Sequence, residues 1–374
     1  MKFIDLTKKL KKAAVLTLVA TVLVTSVVGC APKEKAATES AEKVDDYTVK
    51  LGYYNCDHMV AACVGEAAGI YKELGLNVEI TGNGKVPEAM AAGQMDVGYI
   101  GATGLSEAST KGAPIMIAAT NHLGGSMYLV VANDIKKPED LYGQPVALSS
   151  DLSTDEAWLL AYGPQTGLPA DSSKFQCLEF GSQADKYLAL KTGQIKAFTC
   201  CDPWGSMAEF EGTGKIMGTY LEMDGQLGVC CVYAMNKNFQ KEHPELAKKM
   251  VLAHTKSMEY IYTHPLEAAK IFAEYYKVPV EVAEMTIYKK TVGEGRTLSW
   301  KMDEQAHKHA LEVYKKFNIM ENVPNYDDIA MKDILKESGA DDFDQFIKEK
   351  VDPVFPMGMS FEDWKAKALE IDPQ

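Results

Sequence analysis

Between Tyr47 and Met235, short apolar runs alternate with helical segments, and this alternation constrains the fold more than any other feature of the chain. Residues 47–53 alternate apolar and polar and predict a first strand. Residues 57–74 predict a helix stopped by Gly75, and 76–80 a second strand. A short helix at 87–93 and a strand at 97–100 follow, then apolar strands at 115–119 and 127–132. Strands alternating with helices imply an α/β chain with largely parallel sheets covered on both faces.

A second unit opens at Pro138. Strands are expected at 145–148, 175–180 and 197–201, with helices at 155–162 and 183–192. The polar loop 149–154 runs into the first of these helices and places several hydroxyls and amides at its start. After Gly225 a strand is expected at 228–235. The remainder reads as helices at 244–262, 265–276, 280–288, 303–317, 324–337 and 361–369.

The N-terminus predicts export. Five lysines (Lys2, Lys8, Lys9, Lys11 and Lys12) precede an uncharged run of about sixteen residues, from Ala13 to Val28. That is shorter than the roughly twenty residues a membrane-spanning helix needs, and it fits a secretory leader over residues 1–29. The run ends Val27-Val28-Gly29-Cys30, which resembles the lipobox of bacterial lipoproteins, with Cys30 as the lipidated residue. Residues 30–46, mostly Ala, Lys, Glu, Thr and Ser, read as a solvated tether.

Removing the leader takes away five lysines and one aspartate, so the formal charge of −13 becomes −17. An acidic surface of this kind argues against nucleic acid as a partner and against a peripheral grip on anionic lipid. Arg296 is the only arginine. Arginine is favoured for bidentate capture of carboxylate, sulfonate or phosphate, so its scarcity weighs against a simple oxyanion ligand.

Beyond Cys30 there are seven cysteines, and four of them form adjacent pairs, Cys200-Cys201 and Cys230-Cys231. An odd number leaves at least one thiol outside any disulfide, and adjacent cysteines close only a strained ring. Cys63, on an apolar helix face, and Cys177, within a strand, read as core residues. For the pairs, strand pleating sends neighbours to opposite faces. Both members reach one ligand only where the strand ends or bulges. Thiols suit soft metals and thiophilic compounds, and the spacing does not fit a structural zinc knot.

Several stretches, taken in order, carry a family resemblance. Glu66 to Tyr71 with Gly75 to Glu79, Ala92 to Gly98, Asp140 to Ala147, Asp202-Pro203-Trp204, His243-Pro244-Glu245 and His264 to Ala269 resemble the nitrate/sulfonate/taurine and thiamine-pyrimidine branch of ABC-transporter substrate-binding proteins. The resemblance implies a type II periplasmic-binding-protein fold. Its two lobes would be joined by a hinge, with extra C-terminal helices. The first lobe would take residues 47–132 and 229–374, the second 133–228, with crossings near 131–137 and 229–235. Permease and ATPase subunits would be partners, with the membrane reached through the lipid, no cofactor, and a monomeric receptor.

By position, the implied ligand-facing residues are Tyr54, Cys56, His58, Thr103, Ser150, Thr154, Cys200, Cys201, Asp202, Trp204, Cys230 and Cys231. Asn121 and His122 lie at a further strand end. Cys56, His58, Cys200 and Cys201 are candidate soft-metal contacts. The cysteine pairs on this fold also resemble the binding subunit of a proposed selenocysteine-assisted organometal uptake system. Two other readings remain open at this point. One is an enzyme of the thiamine-pyrimidine synthase type, or one using Cys56 with His58 as nucleophile and base. The other is a metal-scavenging lipoprotein without an importer.

Overall fold

The strands collect into two separate five-stranded sheets. The computed structural model describes residues 46–54, 56–82, 85–124, 127–149 and 154–373, all within one compact unit that begins at Asp45. The leader, Cys30, nearly all of the tether and Ser150 lie outside the described residues. Among the described residues no helix is long and apolar enough to cross a membrane.

The strands are β1 (Thr48–Tyr53), β2 (Asn77–Gly82), β3 (Val97–Gly101), β4 (Ile115–Leu123), β5 (Met127–Val131), β6 (Pro145–Ala147), β7 (Gln176–Cys177), β8 (Ala197–Cys200), β9 (Lys215–Tyr220), β10 (Glu222–Met223), β11 (Gln226–Leu227) and β12 (Val229–Asn236). The first sheet has the order β2-β1-β3-β12-β4, the second β7-β6-β8-β5-β9, and β10 pairs with β11 alone. In the first, β1 runs parallel to β2 and β3, while β12 is antiparallel to both neighbours. In the second, β6 is parallel to β7 and β8, while β5 is antiparallel to β8 and β9. Each sheet is thus parallel except for one inserted strand.

The strand Met127–Val131, expected in the first lobe, belongs to the second sheet. The chain therefore leaves the first sheet between Leu123 and Met127, earlier than residues 131–137. Every residue of β5 is buried, as a central strand covered on both faces requires. An unbroken apolar run fits the middle of either sheet equally well, so the sequence leaves the choice open. The chain re-enters the first sheet with β12.

Glycine at positive φ breaks one expected helix. The expected helix at 57–74 is divided into a 3₁₀ turn Asp57–Met59, a helix Ala61–Ala67 and a turn Ile70–Glu73, with the last two separated by Gly69 at φ 80°. Glycine adopts that conformation without a Cβ clash. The strand expected at 175–180 shortens to Gln176–Cys177, which leaves Cys177 half-buried at its end. The helix expected at 324–337 is two short ones, Tyr326–Ile329 and Ile334–Glu337.

The long helices Pro244–Thr263 and Pro265–Tyr276 start on proline, whose missing N–H costs nothing at that position. They pack on the first sheet through Met250, Val251, Leu266 and Phe272. The helix Glu304–Lys316 instead places Ala310, Val313 and Tyr314 in the core of the second sheet, beside Trp158 and Tyr220. The C-terminal region therefore covers both sheets, not the first lobe alone.

Candidate functional site

The site begins at the end of β1. This strand lies between β2 and β3, so the residues after it leave the sheet at the carboxyl edge of parallel strands, where open α/β sheets bind ligands. Cys56, Asp57 and His58 form the turn there. The Tyr276 hydroxyl anchors the turn by donating to the carbonyls of Cys56 at 3.0 Å and Tyr54 at 3.2 Å. The Asn121 amide donates to the His58 carbonyl at 2.6 Å. The Asp57 N–H donates to the Asp202 carbonyl at 3.0 Å, joining this edge directly to the loop after β8.

Pleating separates the first cysteine pair. Cys200 is the last residue of β8 and is fully buried in the second lobe's core with Tyr128 and Phe198. It faces away from the cleft, contrary to the expectation that it contacts ligand. Cys201 lies just past the strand end and turns the other way. Gln183 Oε1 accepts from its N–H at 3.0 Å and lies 3.2 Å from its Sγ. The second pair behaves differently. The pairing of β12 with β4 shifts register on both sides of Cys231, an irregularity of the kind that re-aims side chains. Cys230 and Cys231 therefore both approach His58.

Five donors converge. Cys56 Sγ lies 2.7 Å from Cys201 Sγ and 3.3 Å from His58 Nε2. His58 Nε2 is 2.9 Å from Cys231 Sγ and 3.9 Å from Cys230 Sγ, and the two sulfurs are 3.5 Å apart. Two groups have metal-ligand spacing, His58/Cys230/Cys231 and Cys56/Asp57/Cys201, with the donor atoms of each within 4.8 Å of one another. The first lies wholly on the first lobe. The second spans both.

A buried charge network supports the cluster. His58 Nδ1 is 2.9 Å from Asp57 Oδ1, and Lys290 Nζ is 3.3 Å from Asp57 Oδ2. Burial opposes ionisation of Asp57, but Lys290 and His58 outweigh it and hold the carboxyl well below the usual range. Burial likewise opposes a charge on His58, yet Asp57 and Cys230 keep its pKa above the ordinary imidazole value. The hydrogen bond from Cys231 lowers the Cys230 thiol, and His58 adds to this against burial. Burial, then Cys201, pushes Cys56 up. The shifts of His58 and Cys230 thus run in opposite directions, each favouring the charged form of the other. A carboxylate on Nδ1 fixes the ring, as in metal sites where it leaves Nε2 to face the ion.

A cavity of about 650 Å³ opens between the sheets onto these donors. Tyr54, Cys56, His58, Thr103, Cys201, Trp204, Cys230 and Cys231 line it, all residues marked from sequence. Gln183, Tyr162, Met223 and Tyr314 also line it and were not marked. Gln183 had a readable signal, since the Ser182 side chain caps the helix Gln183–Lys191 by accepting from the Asp185 N–H. Tyr314 arrives from a helix almost a hundred residues away in sequence and had none.

Two marked residues do other work. Thr154 caps the helix Asp155–Tyr162, its side chain accepting from the Ala157 N–H at 3.1 Å. Asp202 is buried behind the cavity wall and accepts from the Ser206 N–H at 2.8 Å, the Ser206 hydroxyl at 2.6 Å and the Thr286 hydroxyl at 3.2 Å. Among the described residues the cavity lining contains no Lys or Arg. Arg296 is held elsewhere, 2.7 Å from Asp352.

Comparison with known proteins places this architecture. A family model described as NMT1/THI5 like matches residues 55–268, more than half of the chain. The chain belongs to this family. Its sequence is 29% identical over 183 residues to the taurine-binding periplasmic protein of Escherichia coli, a match covering 47% of this chain and 55% of the relative. It is 23% identical over 250 residues to a 4-amino-5-hydroxymethyl-2-methylpyrimidine phosphate synthase of Saccharomyces cerevisiae, covering 62% of this chain and 71% of that protein. The solved ligand-binding component of an ABC-type import system from Staphylococcus aureus, with zinc bound, superposes at a TM-score of 0.61 and 17% identity, over 79% of this chain and 99% of that one. The two-lobed binding-protein fold and the likeness to the taurine branch are thus borne out. The relatives thus include both a binding protein and a synthase.

Proposed function

We propose that this protein is an extracytoplasmic, lipid-anchored solute-binding component of an ABC importer, and that its cargo is thiophilic: a soft metal ion or a compound that bonds through one. It hands the cargo to a permease and ATPase and performs no turnover itself. The observation that carries the reading is the convergence of Cys56, Cys201, Cys230, Cys231 and His58 on one interlobe cavity. Soft sulfur donors with one imidazole select soft or borderline cations over hard ones. Export is supported by the basic leader and the Cys30 lipobox.

The receptor role draws support from the taurine-binding relative and the import component of the same fold. The cargo differs from taurine on this reading, because a sulfonate is best captured by guanidinium or ammonium groups and the described lining has no Lys or Arg. The test is a ligand screen on the purified full chain under reducing conditions. Cadmium chloride should raise the melting temperature, while taurine, alkanesulfonates and aminopyrimidines should not. A Cys201→Ser/Cys231→Ser variant that kept the whole cadmium shift would defeat the thiol reading.

A further inference from the structure

We infer that the cleft captures its cation in two stages: His58, Cys230 and Cys231 on the first lobe bind it in the open receptor, and Cys201 then brings the second lobe onto it. The inference rests on the thiophilic reading above and assigns separate tasks to its donors.

The first stage follows from placement. His58 stands on the turn after β1, and Cys230 and Cys231 on β12, both strands of the first sheet. These three need no contribution from the other lobe. Their spacing is already near that of a bound ion. A tetrahedral site with metal–sulfur bonds of about 2.3 Å and metal–nitrogen bonds of about 2.0 Å sets donor–donor edges of roughly 3.5–3.8 Å. The observed edges are 3.5, 3.9 and 2.9 Å. The edge between His58 and Cys231 must open by about 0.6 Å and the sulfur–sulfur edge by about 0.3 Å, while the edge between His58 and Cys230 closes by about 0.4 Å.

The second stage follows from the other group. Asp57 is a poor ligand there, because one carboxylate oxygen faces His58 and the other Lys290. That leaves Cys56 and Cys201, one on each lobe, with sulfurs 2.7 Å apart. Two sulfurs on one ion need about 3.8 Å, so the pair as it stands is poised, not yet ligating. Cys56 also lies 3.3 Å from His58 Nε2, which links the two groups. Gln183 orients the Cys201 thiol through both its N–H and its sulfur. Coordination by the first-lobe triad needs His58 Nε2, Cys230 and Cys231 all deprotonated, so the ion displaces the protons they still hold to water. It then presents a soft acceptor toward the one cavity thiol that the second lobe supplies. Binding and closure become a single linked event.

The experiment uses the full chain, anaerobic and phosphine-reduced, with cadmium chloride as probe. Thiolate-to-metal charge-transfer absorption reports coordination, and small-angle scattering reports closure. In wild type, one equivalent of cadmium should produce the band and reduce the radius of gyration. Cys201→Ser should keep a weaker band, bind cadmium less tightly than wild type but more tightly than the Cys230→Ser/Cys231→Ser variant, and lose the compaction. Cys230→Ser/Cys231→Ser should lose both signals, whereas Cys177→Ser should keep both. Near-ultraviolet circular dichroism checks that each variant is folded. If Cys201→Ser abolishes binding as completely as the Cys230/Cys231 double variant does, or still compacts with cadmium, the two-stage assignment is wrong while the thiophilic reading stands. If wild type gives no band and instead binds taurine or an alkanesulfonate, both fail.

Discussion

Lys290 offers the sharpest test of how the site is held. Its side chain is fully buried, 2.8 Å from Glu294 Oε2 and 3.3 Å from Asp57 Oδ2, with the ammonium 4.9 Å from the Tyr128 ring centre. Burial works against its charge, but Glu294 and Asp57 keep it protonated. Lys290→Met retains most of the apolar stem and removes the charge. Glu294 and Asp57 then lose this cation, and Asp57 keeps only His58 beside it. Breaking a buried pair in this way costs about 3–5 kcal/mol. The 330 residues from Asp45 onward carry an unfolding entropy of roughly 0.7 kcal/mol per kelvin. The melting temperature should therefore fall by about 4–7 °C. Calorimetry at neutral pH measures it, and added salt should change the drop little, because the pair is shielded from solvent. Adding Asp57→Asn to Lys290→Met should recover part of the loss, with a coupling of about 1–3 kcal/mol. A drop below about 1 °C, or strictly additive single variants, would show that Lys290 does not neutralise Asp57.

Three further outcomes are expected. His254 and His307 are buried on either side of Thr120, with His254 Nε2 donating to the Thr120 carbonyl at 3.0 Å and His307 Nε2 2.9 Å from its hydroxyl. Burial pulls both pKa values down to about 4. The unfolded chain takes up these protons first, so stability is fully present above about pH 6.5 and is lost as pH falls toward 4. At pH 5 the two together should cost roughly 4 kcal/mol. A His254→Gln/His307→Gln variant should show a shallower fall in melting temperature between pH 7.5 and 5, and an unchanged slope would count against the assignment. A Cβ on Gly98 would sit 2.6 Å from Val86 Cγ1 and 2.9 Å from Met90 Sδ. Gly98→Ala should therefore destabilise by about 1–3 kcal/mol in denaturant unfolding. Tyr276→Phe removes the donor to the Cys56 and Tyr54 carbonyls and should cost about 1–2 kcal/mol. It should also weaken cadmium binding by loosening the Cys56 turn, and a variant with wild-type affinity would deny that positioning role.

By itself the sequence determined the strand–helix alternation, the stop at Gly75, the start of the long helices at Pro244 and Pro265, and the anomaly of the paired cysteines. These are local properties, set by side-chain period, glycine φ and proline's missing N–H within a few residues. It also placed Tyr54, Cys56, His58, Cys201 and Trp204 near strand ends, where α/β sheets open to ligands. Only the tertiary structure decided which sheet takes β5, because a uniformly apolar strand carries no label for its neighbours. Only the pleat at the end of β8 separated Cys201 from Cys200. Only the shifted pairing of β12 with β4 let two adjacent cysteines meet one imidazole. The pairing of Lys290 with Asp57, and the arrival of Tyr314 at the cavity, join residues far apart in the chain. Their meeting depends on how the two sheets and the C-terminal helices pack, and no local pattern records that.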